Sequence, residues 1–140
     1  MIRDKPSNLA ASVRQRLLNI SRETGEDANL VWTRYASERL LYRISVSEYA
    51  GDFILKGAML FTVWTGRLYR PTVDIDFGLT GGYMERLAEI FRNVCTVEIE
   101  PDGLEFTADS VKATPIREQH EYHGQRVTLM ALLGKARIPI

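Results

Sequence analysis

The alternation Val73-Asp74-Ile75-Asp76-Phe77 restricts the fold of this chain more than any other feature of its sequence. Side chains on a β-strand point alternately to the two faces of the sheet, so this segment predicts a strand with one apolar and one acidic face. Two carboxylates on one face repel each other unless a cation lies between them, and hard oxygen ligands suit Mg²⁺. The segment therefore predicts a metal site on a sheet; exposed charges near the end of a strand are the plainer explanation of such a pair.

A turn upstream of this strand is a candidate for binding phosphate. The apolar run over residues 53–55 predicts a short strand, and at Lys56-Gly57-Ala58 the pattern changes from strand-like to helical. The start of a helix presents free backbone N–H groups and the positive end of the helix dipole, both of which attract phosphate. Together, the turn and the acidic strand predict a metal-dependent site for a nucleoside triphosphate.

Two cations lie near these segments. Lys56 and Arg70 are both candidates for contacts with a triphosphate, and Arg70 could equally meet an RNA phosphate. The alternatives are structural: an ion pair between Lys56 and Asp76, and a solvent-exposed loop position for Arg70.

Apolar spacing predicts four helices, over residues 7–24, 29–49, 58–65 and 83–94. On the second helix, an apolar residue at every fourth position predicts the buried face: Trp32, Ala36, Leu40 and Ile44. Strand-like runs are predicted over residues 53–55, 73–78, 97–99, 104–107, 111–116, 126–133 and 136–140. The order is two helices, a mixed αβ core, and a strand-rich end.

Size and composition exclude several classes of protein. A chain of 140 residues with 45% apolar content can bury one core and reads as a single domain. Its N-terminus lacks the apolar stretch of a secretion signal, and no segment approaches the roughly 18 apolar residues of a membrane span. The single cysteine, Cys95, rules out internal disulfides and fits the cytoplasm. With His120 and His123, which we expect at the surface, it argues against a zinc centre.

Positive charge is concentrated in the first half of the chain. Residues 1–70 contain 11 Lys and Arg against 7 Asp and Glu, and 14 of the 18 cations in the chain are arginine. Arginine suits bidentate phosphate contacts, which favours a polyanionic partner, whereas solvated helix faces are the plainer explanation. On the second helix, Arg34, Arg39 and Arg43 are either a basic flank or ordinary surface charge.

The turn at residues 56–58, followed by the segment 70–76, resembles the motif of the AbiEii/AbiGii toxin group. These toxins are nucleotidyltransferases related to the DNA polymerase β superfamily. Residues 34–43 resemble the helix before that motif and residues 116–127 the strand pair after it, so the resemblance covers most of residues 29–140. It implies an α+β fold: an N-terminal helical segment (1–50) followed by a polymerase β-like core with a mixed sheet (51–140), together forming one globular unit.

The resemblance also implies a chemistry, which is nucleotidyl transfer from a nucleoside triphosphate with two Mg²⁺ ions. Mapped onto this sequence, the catalytic metal ligands are Asp74 and Asp76, and the nucleotide contacts are Lys56, Gly57, Ala58 and Arg70. Members of the group are toxins of bacterial toxin–antitoxin or abortive-infection systems. The implied partners are therefore an RNA acceptor, tRNA in particular, or a protein acceptor, and a cognate antitoxin.

A third carboxylate usually joins this pair in the superfamily, on a later strand. Here no Asp or Glu follows Glu121. In the family an acidic residue commonly comes just after the segment that resembles residues 136–140, so we expect this sequence to be a C-terminally truncated form. We accordingly expect the 140-residue form to bind metal–nucleotide weakly and to transfer very little.

Two other functions compete with this one. A degenerate nucleotidyltransferase fold that binds nucleotide or a partner protein without catalysis would fit Ala58, where the family usually has Gly or Ser, and the missing third carboxylate. An unrelated nucleic-acid-binding domain would use the arginine-rich first half. It predicts salt-sensitive RNA binding that does not depend on Asp74 or Asp76.

Overall fold

Two helices begin the fold in the computed structural model, which describes residues 6–56, 76–79, 86–117 and 123–140. Helix α1 spans Pro6–Thr24 and helix α2 spans Ala28–Ser45. Gly25, with φ of 75°, follows α1 in the left-handed region that glycine adopts without strain. Asp27 caps α2, where its carboxylate accepts the N–H of Asn29 at 2.7 Å. Both helices lie where the apolar spacing predicts them.

Helix α2 ends four residues before its predicted end. The hydroxyls of Ser45 and Ser47 donate to the carbonyls of Tyr42 and Ile44 at 2.6 and 2.7 Å. Serine side chains bind carbonyls that the next turn of a helix would otherwise use, and so they favour helix ends. A short 3₁₀ helix, Ala50–Asp52, then leads into the first strand.

The first two strands form an antiparallel ladder. Strand β1 spans Phe53–Lys56 and strand β2 spans Asp76–Leu79, close to the predicted 53–55 and 73–78. Helix α3 follows at Leu87–Cys95. The predicted helix at 58–65 lies outside the described residues, as do residues 73–75 and 83–85.

A second, three-stranded sheet forms the end of the chain. It has the order β3–β4–β5, with strands at Leu104–Arg117, His123–Leu133 and Ala136–Pro139, and both pairings are antiparallel. The predicted strands 104–107 and 111–116 are one continuous strand, and β4 begins three residues earlier than predicted. His123 is therefore the first residue of β4, opposite Arg117, while His120 lies outside the described residues.

The predicted strand at 97–99 is wrong. Residues 97–99 belong to the connection between α3 and β3 and pair with no strand among the described residues. The period-2 pattern arises because Val97 and Ile99 are half-buried while Glu98 and Glu100 are exposed, which an extended loop against a core produces as readily as a strand does. Gly103 ends this connection with φ of 83°, and a Cβ atom there would lie 3.2 Å from the Val13 side chain.

A large bulge interrupts β3. Thr107 pairs with Met130 and Lys112 with Thr128, so residues 108–111 face a single residue of β4. Ser110 closes the gap: its hydroxyl donates to the Thr107 carbonyl at 2.6 Å and accepts the Met130 N–H at 2.8 Å. A side chain thus replaces a missing backbone partner in the ladder.

Replacing Ser110 by alanine should lower the free energy of unfolding by about 1–3 kcal/mol, because the Met130 N–H would lose its partner. Urea denaturation followed by circular dichroism measures the change. Ser12→Ala on α1, which removes a hydroxyl that accepts from Arg16 on an exposed surface, serves as the control. Equal midpoints for the two variants would show that the hydroxyl of Ser110 does not hold the bulge.

The three helices and the three-stranded sheet share one core. Helix α3 packs on β3, while α1 contacts β4 and α2 contacts β5. The predicted apolar stripe on α2 is confirmed. Ala36, Leu40 and Ile44 are buried, and Trp32 is partly buried against the core. The predicted α+β architecture is confirmed as well. Within the described ranges, no helix is both long enough and apolar enough to cross a membrane.

Ser37 is a weak point of this core. Its side chain is fully buried on α2, and its hydroxyl has no hydrogen-bond partner among the described residues. Alanine has the higher helix propensity and leaves no polar atom to satisfy. We expect Ser37→Ala to raise the free energy of unfolding by about 1 kcal/mol, measured by urea denaturation. A destabilised variant would show that the hydroxyl does contribute to packing or bonding.

Candidate functional site

The ladder of β1 and β2 brings together two of the predicted site residues. In its register Phe53 faces Leu79, and at the other end Lys56 faces Asp76. Residues directly opposite each other in an antiparallel pair share a face of the sheet. The cation predicted to contact phosphate and one carboxylate predicted to bind metal therefore occupy neighbouring positions on one face.

The other four predicted site residues lie outside the described residues: Gly57, Ala58, Arg70 and Asp74. In sequence they all belong to the segment that joins Lys56 at the end of β1 to Asp76 at the start of β2. The ends of that segment are thus held opposite each other by the ladder. The register is compatible both with a shared nucleotide site and with the alternative ion pair between Lys56 and Asp76.

The donor chemistry at this end of the ladder suits a magnesium–triphosphate complex. A carboxylate oxygen is a hard ligand of the kind that Mg²⁺ prefers, and a lysine beside it is a common partner for phosphate oxygens. Asp76 and Lys56 are one residue of each type, at opposite positions of the register. By residue type, this pair fits the metal and the substrate that the sequence predicts.

A second polar cluster, which the sequence did not reveal, joins α2 to the connection before β3. Arg43 is 5% exposed, and its guanidinium donates to both carboxylate oxygens of Asp102, at 2.8 and 3.1 Å. Arg39 donates to Asp102 at 2.8 Å as well, and the Leu104 N–H adds a fourth bond at 3.1 Å. Every part of this carboxylate is paired.

The charge state of Asp102 follows from these bonds. Burial acts to raise its pKa, but the hydrogen bonds from Arg43 and Arg39 outweigh burial and hold the pKa below its usual value. Asp102 is therefore an anion at neutral pH, committed to two cations. The role of Asp102 is therefore structural, and its carboxylate is not free to act as a general base.

Aromatic rings complete the cluster. Arg43 stacks over the Phe106 ring and Arg39 over the Tyr42 ring, each 4.4 Å from the ring centroid. The Tyr35 hydroxyl donates to the Asp102 carbonyl at 2.7 Å, and burial together with the nearby carboxylate raises the pKa of that tyrosine. The one available sequence signal is spacing: residues 35, 39 and 43 recur every four positions and so share a helix face.

These contacts change the interpretation of the arginines on α2. Arg39 and Arg43 are bound to Asp102, and Arg34 donates to Glu26 at 2.9 Å. The hypothesis of a basic flank on this helix is therefore wrong, because each of its three cations already has a carboxylate partner. Arg39 and Arg43 share one carboxylate, and Arg43 is buried, so this helix presents little free positive charge to a polyanion.

A groove of about 590 Å³ lies beside this cluster, lined in part by Leu9, Cys95, Glu98, Glu100 and Asp102. Burial raises the pKa of the Cys95 thiol to about 11, so at neutral pH this cysteine is protonated and a poor nucleophile. The carboxylates along the groove disfavour a triphosphate. Of the predicted site residues that the structure describes, neither Lys56 nor Asp76 is among its lining residues.

Comparison with known proteins identifies a family. The model of the family described as "Nucleotidyl transferase AbiEii toxin, Type IV TA system" matches residues 39–140, which is more than half of the chain. The match includes both strands of the β1–β2 ladder, the segment between them, and the whole three-stranded sheet. No curated protein and no solved structure matches the chain.

Proposed function

Because this chain belongs to the AbiEii family of nucleotidyltransferase toxins, we propose that it transfers a nucleoside monophosphate from a nucleoside triphosphate to an RNA acceptor. Among RNAs we favour tRNA, and the reaction would depend on Mg²⁺. The family is one of toxin–antitoxin systems, which implies a cognate antitoxin as a partner. We also propose a cytoplasmic location, where NTP and RNA are both available.

The observation that carries this proposal is the register of the β1–β2 ladder. It sets Lys56 opposite Asp76, and these are the residues for which we propose the phosphate contact and one metal ligand. In an unrelated fold, the chain segments that resemble the two halves of the motif would have no reason to pair in this way.

Each residue has a distinct part in the proposed reaction. Asp74 and Asp76 would hold the metal ions, and Lys56 would contact the triphosphate, with Arg70 as an auxiliary contact. When bound, Mg²⁺ neutralises phosphate charge and lowers the pKa of the attacking hydroxyl. Backbone N–H groups at Gly57 and Ala58 would hold the triphosphate still while the reaction proceeds.

The bonds that change are those of ordinary phosphoryl-group chemistry. An RNA hydroxyl oxygen attacks the α-phosphorus and loses its proton to solvent water. The new oxygen–phosphorus bond forms as the bond from the α-phosphorus to the bridging oxygen breaks, which releases pyrophosphate. The protein contributes mainly position and charge, because the reacting groups supply the covalent chemistry themselves.

The test is label transfer from each of the four α-labelled nucleoside triphosphates to total bacterial RNA, using the full-length protein with Mg²⁺. Labelled RNA with one nucleotide would support the proposal and identify the base. No label with any nucleotide, from a folded protein, would contradict it.

A second candidate is a nucleotidyltransferase fold that binds nucleotide or a partner protein without catalysis. One sequence observation favours it: Ala58 adds a methyl group where the triphosphate would approach. This candidate predicts Mg²⁺-dependent nucleotide binding without transfer, so equilibrium binding and label transfer on one protein sample distinguish the two.

A further inference from the structure

The three-stranded sheet has one face that the described helices do not cover. Its inner face carries the buried side chains Phe106, Leu129, Ala131, Leu133 and Ile138, against which the helices pack. Alternate residues along each strand point the opposite way. We call that side the outer face and define it by five exposed residues: Lys112, Thr114, Arg126, Thr128 and Arg137.

The outer face carries positive charge that the described parts of the protein do not neutralise. Lys112, Arg126 and Arg137 are exposed, and none of them is in an ion pair with a described residue. The face also bears Glu105. Glu105 on β3 and Arg137 on β5 both pair with Leu132 on β4, so two strand spacings, or roughly 10 Å, separate them. Arg14, Arg22 and Arg92 on α1 and α3 are also exposed without an ion pair, so what distinguishes the outer face is that three cations share one face of a sheet.

The register sets the three cations in a row. Lys112 faces Thr128 and Arg126 faces Thr114, so Lys112 and Arg126 are diagonal neighbours, about 7–8 Å apart. Arg137 faces Leu132 on the other side of β4. Along β4, the distance from Arg126 to the position that pairs with Arg137 is six residues, or about 20 Å. That length spans several nucleotides of an RNA strand.

The other side chains on the face indicate which part of RNA it contacts. Thr114 and Thr128 offer hydroxyls, which commonly bind phosphate and ribose oxygens. Among the described residues this face has no aromatic side chain on which a base could stack, and its large apolar members on β4, Met130 and Leu132, are partly buried. The pattern suits a sugar–phosphate backbone and is unsuited to base recognition.

We propose that the outer face binds the sugar–phosphate backbone of the RNA acceptor through Lys112, Arg126 and Arg137. This inference rests on the proposed transfer to RNA and deepens it by naming the surface that holds the acceptor. Because the contacts are with the backbone, the face contributes affinity and position for many RNA sequences, and the choice of sequence lies elsewhere.

The experiment is a salt titration of RNA binding. The probe is total bacterial tRNA labelled at its 5′ end, and fluorescence anisotropy reports its binding to the full-length protein from about 0.1 to 1 M KCl. The test variant is Lys112→Gln/Arg126→Gln/Arg137→Gln. The control is Arg14→Gln/Arg22→Gln/Arg92→Gln, which removes the same charge from exposed positions on α1 and α3. Circular dichroism checks that both variants are folded.

We expect the test variant to bind tRNA on the order of 100-fold more weakly at about 0.1 M salt, with the log–log salt slope reduced by about 2. These values follow from the loss of three phosphate contacts. The control should change affinity by less than about 3-fold. In transfer assays, the test variant should raise the KM for RNA and leave the KM for nucleotide unchanged.

Two other results would separate this inference from the proposed function. If the full-length protein labels RNA but the test variant keeps its RNA affinity and salt slope, the outer face is not the acceptor surface and the transfer proposal stands. That is also the result expected if an acidic protein partner occupies the face. If RNA binding depends on the face but no nucleotide is transferred, the surface is supported and the transfer proposal fails.

Discussion

Replacing Asp76 by asparagine is expected to abolish nucleotidyl transfer by the full-length protein while leaving its fold intact. Asparagine keeps an oxygen at this position but loses the charge that balances Mg²⁺. Loss of an outer-shell partner of a metal ligand typically costs 10–100-fold in metal affinity or activity. Loss of a direct ligand should cost more, so we expect transfer to fall by at least about 100-fold.

The measurement is the rate of label transfer to RNA at several Mg²⁺ concentrations. Asp109→Asn is the matched control, since it removes one carboxylate from the exposed bulge of β3 and should leave the rate within about 2-fold of the parent. A residual rate that recovers at high Mg²⁺ would strengthen the assignment of Asp76 as a ligand. Full activity of Asp76→Asn at all Mg²⁺ concentrations would remove Asp76 from the site.

The sequence predicted strands β1 and β2 because the patterns that specify them are local. The alternation at residues 73–77 and the apolar run at 53–55 each specify a strand without reference to the rest of the chain. What the sequence could not supply is the register between them. That Lys56 faces Asp76, and not a residue one position away, depends on the ladder as a whole.

The polar cluster on α2 could not be predicted, because its members are far apart in the sequence. Arg43 and Asp102 are 59 residues apart in sequence, and nothing local in either segment identifies the other as its partner. Counting charges assigned the arginines of α2 to a surface, whereas the structure buries Arg43 and pairs it. Exposed cations without an ion-pair partner among the described residues lie instead on α1, on α3 and on the three-stranded sheet, the last in the half of the chain that has a net negative charge.

Local patterns can also mislead where a side chain replaces a backbone partner. Residues 108–110 interrupt the apolar pattern, and the sequence therefore predicted two short strands in place of one. The Ser110 hydroxyl accepts the Met130 N–H and so allows one strand to continue through the bulge. Turn-forming residues inside a strand therefore mark either a turn or a bulge, and only tertiary contacts decide between them.

Removal of Arg43 should have the largest effect on stability. In Arg43→Met the apolar stem is retained, but Asp102 loses its bidentate partner while remaining buried, and the stacking on Phe106 is lost. Breaking a buried ion pair in this way typically costs 3–5 kcal/mol, and we expect about that loss in the free energy of unfolding from urea titration at pH 7. Arg34→Met is the control, because its pair with Glu26 is part-exposed and should cost about 1 kcal/mol or less.

The pH dependence of that loss tests its cause. In the native protein the pKa of Asp102 lies below its usual value of 3.8, so the pair contributes stability that is complete above that value and is lost as pH falls through the native pKa. Once the carboxyl is protonated, it no longer needs a cation. The stability difference between parent and Arg43→Met should therefore narrow as the pH is lowered from 7 to below 3.8. A stability difference that is the same at pH 7 and below 3.8 would assign the role of Arg43 to packing. Partial recovery of the free energy of unfolding in Arg43→Met/Asp102→Asn at pH 7 would assign that role to charge.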